Sequence, residues 1–422
     1  MSVIYDVEKI FKSNVFKNFS YLSFSHIVNV IFPLFTFPYI TRIFGPDGYG
    51  VLNFLQSFVA YFAVISDYGI GIIAPGLLSS EKNNHSKFSI IFHSILFIKI
   101  ILSFVSFFLI LLISYFSHDL KLNTNLIIII FLGSVFLNNI YPGYFFQAIE
   151  RMKYLAYINI LIKFLSVLAL FVFVNSQKDL SIYLWINTIS IGVSSILGLF
   201  LVYYKFGLSF VMPSIESILD IFKKSTFSFF SVLCTNAYTI SNFIFLGFYF
   251  EKKEVGFYSG PYRIMYYFIS FIFLLGQALY PKMAILSKSS INEGYKIVKK
   301  SFIYVLPFLV VISVIIFFNS KKIVLLLIGY EYLESYKALK IISIVPVFIF
   351  VSNMIGIQII LASNNLKLFL VITFLGLVLN LISNFFITIN YGYVGASITF
   401  LITEFFVAFF SFLGLRRLLK NA

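Results

Sequence analysis

Four ionisable residues stand deep inside long apolar stretches: Asp67 in VAYFAVISDYGIGII, Lys99 in IIFHSILFIKIILSFV, Lys163 in LAYINILIKFLSVLAL and Glu404 in ASITFLITEFFVAFF. Facing lipid, each would cost about 2.5–3.5 kcal/mol or more, so each must meet a partner or a wet cavity. Lys99 and Lys163 lie about nine or ten residues, roughly 15 Å, from the start of their stretches, and Asp67 roughly 18 Å. Three charges at one depth form a cationic patch that would receive an anion. Alternatively, Asp67 and Lys99 pair with each other and only pin helices. One acid cannot neutralise two lysines, which favours Lys163 as the anion-binding group. Glu404 has no basic residue predicted at its depth, and neighbouring stretches offer Asn236, Asn242, Gln277, Asn353, Gln358, Asn380 and Asn384. It would carry a coupling proton or sodium ion, or sit as a protonated carboxyl hydrogen-bonded between helices. Asp67 is a second ion-coupling candidate. Arg42 and Arg263 follow apolar stretches near the outer face; they would attract an anionic headgroup, or cap the preceding structure or snorkel to lipid phosphates.

The elements that must hold these residues are transmembrane helices. The chain has 422 residues, 60% hydrophobic and 11% charged. A soluble domain carries about a quarter charged residues, so lipid must cover much of this apolar surface. Stretches long enough to cross about 30 Å of hydrocarbon fall near 19–41, 51–78, 89–115, 124–146, 154–174, 181–204, 225–249, 264–281, 301–319, 340–362, 368–389 and 393–415. The reading is an all-α membrane protein of about 12 transmembrane helices. Residues 1–18 form an interfacial helix, and no cleavable signal peptide is evident. A six-helix half covers 19–204, a cytoplasmic linker 205–224, a second six-helix half 225–415 and a cytoplasmic tail 416–422. Twelve spans put both termini on one side. Loops on that side are richer in Lys and Arg, with Lys282, Lys288, Lys296, Lys299 and Lys300 in one and Arg416, Arg417 and Lys420 at the end, so both termini are expected in the cytoplasm. The outer loop 320–339, with Lys321, Lys322 and Lys337, runs against this bias.

Several function classes drop out. The single cysteine, Cys234, excludes a disulfide framework and a cysteine metal site, and four histidines make no zinc centre. Gly45, Gly48, Gly50 and Gly256 follow apolar spans rather than strands, and no Gly-Lys-Ser/Thr follows them, so they cradle no nucleotide. No cofactor is expected. The net charge of +15 sits in short loops, the pattern of a membrane protein, and no nucleic acid is expected as a partner.

Segments recur between the halves. Phe44-Gly45-Pro46-Asp47-Gly48-Tyr49-Gly50-Val51 after span 1 is echoed by Leu246-Gly247 and Val255-Gly256-Phe257-Tyr258 after span 7. Gly143, Gln147 and Lys153 are echoed by Gly356, Gln358 and Lys367. The offset is roughly 200–215 residues, as an internal repeat requires. Parallel halves suit alternating access, with the substrate site between them.

Pro38-Tyr39-Ile40-Thr41-Arg42-Ile43-Phe44-Gly45-Pro46-Asp47-Gly48-Tyr49-Gly50 resembles the span 1–2 junction of the Wzx-type polysaccharide (O-antigen) flippases, in the multidrug/oligosaccharidyl-lipid/polysaccharide exporter superfamily. Asp67-Tyr68-Gly69-Ile70 resembles that family's span 2 motif, and Pro142 to Lys153 its span 4 end, with Tyr144 where the family usually has Trp and Ala148 where it has Gly. Leu279-Tyr280-Pro281 and Gly392-Tyr393-Val394-Gly395-Ala396 with Glu404 also match, so the resemblance covers essentially the whole chain. It implies a MATE-like architecture and a lipid flippase. The cargo would be an oligosaccharide repeat unit on polyprenyl pyrophosphate, carried from the cytoplasmic to the periplasmic leaflet of a bacterial inner membrane for O-antigen, lipopolysaccharide or capsule assembly. Lys163, Lys99, Arg42 and Arg263 would then form a cationic substrate site. Partners would be membrane lipid, the lipid-linked glycan, a proton or sodium ion, and other polysaccharide assembly proteins. A multidrug or cation antiporter of the same superfamily is the alternative; a membrane polysaccharide polymerase fits less well, because no loop is large enough to carry its catalytic residues.

Overall fold

A computed structural model describes residues 14–116 and 123–420, and every regular element among the described residues is helical. Most of the interfacial helix expected over 1–18, and the last two residues of the expected tail, lie outside the described residues. The helices are α1 (Asn14–Asp67), α2 (Ile70–Ser80), α3 (His85–Phe116), α4 (Thr124–Phe131), α5 (Asn138–Ile140), α6 (Gly143–Ala148), α7 (Lys153–Phe173), α8 (Leu180–Phe200), α9 (Ile215–Tyr249), α10 (Lys252–Ser289), α11 (Ile291–Leu327), α12 (Tyr336–Ile342), α13 (Val345–Ser352), α14 (Leu366–Ser383) and α15 (Ile389–Lys420). π-helical turns at Leu132–Leu137, Leu201–Lys205, Asn353–Leu361 and Asn384–Thr388 prolong α4, α8, α13 and α14.

Helices prevail because hydrocarbon leaves each backbone N–H and C=O to find its partner within the segment. Their outer faces carry large apolar side chains that water would not tolerate, such as Phe108, Phe173 and Phe318 at 68%, 60% and 78% exposure. Side-chain hydroxyls turn back onto the carbonyl one turn earlier, as Ser103 does to Lys99 and Ser190 to Ile186, so they too need no water. Among the described residues, eight helical segments are long and apolar enough to cross a membrane, or nine if the pair Tyr330–Ile342 and Val345–Leu361, bent by 41°, counts as one span. Two of the eight, Val30–Ser80 and Leu366–Lys420, run for 51 and 55 residues. At 1.5 Å per residue each is roughly 80 Å long, more than twice the hydrocarbon thickness. Both are broken by a glycine, Gly45 (φ 62°, ψ −179°) and Gly392 (φ 56°, ψ −137°), in backbone conformations that a Cβ would strain. The chain is an all-α, multi-pass membrane protein.

Several stretches that read as uninterrupted apolar spans are broken. The stretch at 51–78 breaks at Tyr68–Gly69, between α1 and α2, and that at 124–146 at Tyr141–Pro142. Pro142 and Pro346 stand at helix starts, where the missing N–H would have no partner anyway, whereas Pro75 and Pro307 lie inside helices. The segment 320–339 is largely helical, with α11 running to Leu327 and a 3-10 turn over Tyr330–Ser335.

The chain divides into two compact units: Met1–Pro33 with Phe58–Leu233, and Leu34–Ser57 with Cys234–Ala422. In the first, Ile70, Phe92, Ile95, Phe146 and Val202 form part of a buried apolar cluster. There α7 and α8 form a hairpin whose turn is fixed by a capping box between Ser176 and Asp179.

In the second unit, Phe350, Met354, Ile355 and Ile359 centre another cluster. The segment after the Gly45 break crosses the start of α10 so closely that a Cβ on Gly50 would lie 1.8 Å from the Lys252 carbonyl oxygen, and one on Gly256 would lie 2.0 Å from that of Pro46. The Tyr332 hydroxyl donates to Gly45 O (2.7 Å), the Tyr393 N–H to Glu254 Oε2 (2.8 Å) and the Tyr393 hydroxyl to Glu334 O (2.9 Å). These bonds tie four breaks and turns of the second unit into one knot.

Candidate functional site

Asp67, the last residue of α1, meets the start of α2 and the middle of α3. Its Oδ1 accepts from Lys99 Nζ at 2.6 Å and its Oδ2 from the Gly71 N–H at 3.2 Å, one of the donors that a helix start leaves unpaired. The carboxylate therefore also faces the favourable end of the α2 dipole. Lys99 is 6% exposed, and its ammonium lies 5.5 Å from the centre of the Tyr144 ring. The Tyr144 hydroxyl, in the short helix α6, is buried with no hydrogen-bond partner. Tyr68, beside the break, stacks between Phe222 and Phe229 at centroid distances of 4.0 and 4.5 Å.

Lys163 lines a separate cavity of about 320 Å³, whose lining includes neither Asp67 nor Lys99. Asn138, Tyr141, Asn159, Asn187 and Ser190 share it. Asn159 lies one helical turn before Lys163 on α7, while Asn187 and Ser190 lie on one face of α8, so the hairpin turns a polar stripe inward from both arms. Asn159 donates to the Tyr141 hydroxyl at 2.9 Å, exactly where the chain breaks before Pro142. The cavity combines a half-buried ammonium with amide and hydroxyl donors, a set suited to an oxyanion.

In the second unit, Glu404 is 3% exposed and faces a cavity of about 410 Å³. Among the described residues, no hydrogen bond or ion pair reaches its carboxyl. Asn236 and Asn353 share the cavity with Tyr238, Tyr262, Tyr266 and Phe400, and among the described residues no lysine or arginine lines it. Next to it, one turn of α15 joins a fully buried amide network. Asn384 Nδ2 donates to Asn242 Oδ1 (2.8 Å) and Asn380 Oδ1 (2.9 Å), Asn380 Nδ2 to Thr403 Oγ1 (3.0 Å), and Asn242 Nδ2 to the Tyr258 hydroxyl (3.0 Å). The network runs along the π-helical turn Asn384–Thr388, where Thr388 donates to Asn384 Oδ1 (2.8 Å). Gln358 is tied to Gly276 O at 3.0 Å, and Gln277 is exposed.

Arg42 and Arg263 serve different settings. Arg42 donates to Leu326 O at 2.8 Å, capping the last turn of α11, and lines a cavity of about 340 Å³ with Glu331 and Tyr332. Arg263 is half-buried on α10, its guanidinium 5.8 Å from the centre of the Tyr266 ring. The structure thus brings Asp67 and Lys99 together, places Lys163 in a cavity of its own, and sets Glu404 among the amides of the other unit.

The sequence matches the family described as Polysaccharide biosynthesis protein over residues 15–287. The chain belongs to that family. Two relatives of this chain are each named "Putative O-antigen transporter". The one from Escherichia coli (strain K12) is 28% identical over 394 residues, covering 93% of this chain and 94% of the relative. The one from Shigella dysenteriae is 24% identical over 399 residues, covering 93% and 98%. Among solved structures, an inward-facing multidrug resistance MATE family transporter of the MOP superfamily matches with a TM-score of 0.68 at 14% identity, covering 94% of this chain and 95% of that one. The lipid II flippase MurJ in an inward closed conformation matches with a TM-score of 0.62 at 16% identity, covering 94% and 87%. These likenesses establish that the chain has the MATE-type fold.

Proposed function

We propose that this protein is a flippase that moves oligosaccharide repeat units, linked to polyprenyl pyrophosphate, from the cytoplasmic to the periplasmic leaflet of a bacterial inner membrane. The observation that carries the reading is the match to two O-antigen transporters along 93% of the chain, not merely over one motif. The charged interior is in keeping with it. Lys163 in its polar cavity would hold the pyrophosphate or an acidic sugar, and Lys99 would join it in the cationic site only if the cargo drew it from Asp67. Arg42 and Arg263 would serve the anionic headgroup as it enters or leaves.

Transport would proceed by alternating access in a twelve-span chain with both termini in the cytoplasm. Glu404, which meets no cationic partner among the described residues, is the residue proposed to take and release a proton or sodium ion as access changes. A single charge falling through 100 mV releases about 2.3 kcal/mol, enough to bias each cycle. The aromatic cavity around Glu404 also fits the alternative of a cation exporter, since a carboxyl among aromatic faces suits an organic cation.

The test is flipping in reconstituted vesicles, with a polyprenyl-pyrophosphate-linked oligosaccharide in one leaflet and an imposed proton or sodium gradient. Protein-dependent appearance of the glycan in the opposite leaflet, accelerated by one gradient, is the expected result. Flipping without response to either gradient would remove the coupling role of Glu404. Absence of flipping, together with export of a lipophilic cation, would replace the reading by the alternative.

A further inference from the structure

The cavity around Glu404 combines a buried carboxyl with the amides of Asn236 and Asn353 and the hydroxyl-bearing rings of Tyr238, Tyr262 and Tyr266. Glu404 is 3% exposed, and among the described residues no hydrogen bond reaches its carboxyl. The Thr239, Thr373 and Ser352 hydroxyls donate to backbone carbonyls: Thr239 to Thr235 and Asn236, Thr373 to Phe369 and Leu370, Ser352 to Ile349. A buried carboxyl that accepts from no donor of the protein gains from a ligand that brings one.

The lining narrows the class of ligand. A phosphate brings only acceptors and negative charge, and among the described residues no cationic side chain lines the cavity to receive it. A hydrocarbon tail would leave the Glu404 carboxyl without a donor. The remaining walls are ring faces, with Tyr262 and Tyr266 near parallel at 26° and Phe400 beside Tyr262. A pyranose ring meets each of these demands: hydroxyl or acetamido N–H donors along its edge, and C–H faces that pack on aromatic rings. We propose that this cavity, about 410 Å³ in volume, is the subsite for one sugar ring of the cargo, with Glu404 accepting from its hydroxyl or amide N–H groups and the Asn353 side chain lining the same wall. The inference rests on the flippase reading and separates two parts of the cargo. It concerns the sugar end of the cargo alone.

The experiment measures equilibrium binding of two probes to the full-length protein in lipid nanodiscs: polyprenyl pyrophosphate alone, and the same lipid carrying one N-acetylglucosamine. Glu404→Leu and Asn353→Leu replace polar groups of the cavity wall by apolar ones of similar size, and both should retain the wild-type melting temperature. Each should weaken the sugar-bearing probe by about tenfold, the range of a hydrogen bond to a charged or buried acceptor, and leave the sugar-free probe unchanged. Glu404→Gln, which keeps one acceptor and the side-chain shape, should lose only about threefold and guards against a folding artefact. Equal loss for both probes, or loss for neither, would overturn the sugar subsite while leaving the flippase reading standing. Tetraphenylphosphonium binding that depends on Glu404, with the sugar-bearing probe unaffected, would make the cavity a cation site and also overturn the inference. A wild-type protein that binds neither lipid would sink the flippase reading and the subsite with it.

Discussion

Lys99 and Lys163 carry the same charge at similar depth in the sequence, yet their surroundings assign them different work. Lys99 is 7% exposed at its side chain and sits on Asp67, which is 31% exposed. Removing one member of a buried pair strands the other, at about 3–5 kcal/mol, and the partial exposure of Asp67 places Lys99→Ala near the low end, about 3 kcal/mol. That variant should melt markedly earlier in detergent and reach the membrane at reduced level. Lys163→Ala, in a polar cavity, should melt as the wild type does but flip lipid-linked oligosaccharide at a tenth of its rate or less, as loss of a charge-assisted contact to an anion of about 1.5–3 kcal/mol implies. Normal flipping by Lys163→Ala would rule out its proposed contact with the cargo. The charges themselves were legible, because four ionisable residues in apolar runs stand out. The company of Lys163 was not: Asn159, Asn187 and Ser190 are unremarkable one by one, and only the hairpin of α7 on α8 turns them onto one cavity. Tyr144 was likewise hidden. The sequence marks it as a departure from the family's usual Trp, while the structure lays its ring beside the Lys99 ammonium.

At the scale of elements, apolar runs told where helices lie and were silent about where they break. The run through Asp67 stays apolar on both sides of Tyr68–Gly69, so composition gives no sign that the helix ends there and lets a carboxylate face the start of α2. π-helical turns insert one backbone residue and leave no compositional trace, yet one of them aligns the amides of Asn384 with those of Asn380 and Asn242. The crossing of Gly50 and Gly256 is the most constrained contact between elements in the second unit. An added methyl would fall inside a backbone carbonyl on either side, and backbone cannot swing away as a side chain can. Gly50→Ala and Gly256→Ala should therefore each destabilise the protein by about 1–3 kcal/mol, and by similar amounts. Thermal melting of the purified variants reads this directly. A wild-type melting temperature for either would mean that the crossing yields easily.

For the molecule as a whole, the proposed arrangement of twelve spans fixes which loops face which compartment. In a Cys234→Ser background, single cysteines at the exposed positions Asn123 and Ser176 should react in intact cells with a membrane-impermeant thiol reagent, and those at the exposed positions Asn83 and Ser214 should react only after the membrane is opened. The opposite pattern would invert the orientation, and labelling of all four would break the twelve-span count. The crossing adds a consequence at this largest scale. Pro46 and Lys252 stand 206 residues apart, as do Gly50 and Gly256, and these pairs belong to the segments that recur in the sequence. In the contact the roles are exchanged: Gly50 meets the carbonyl of Lys252, and Gly256 meets the carbonyl of Pro46. Such reciprocity is the signature of an isologous interface, in which two identical chains present the same patch to each other about a two-fold axis. The crossing thus has the form of a dimer contact held inside a single polypeptide.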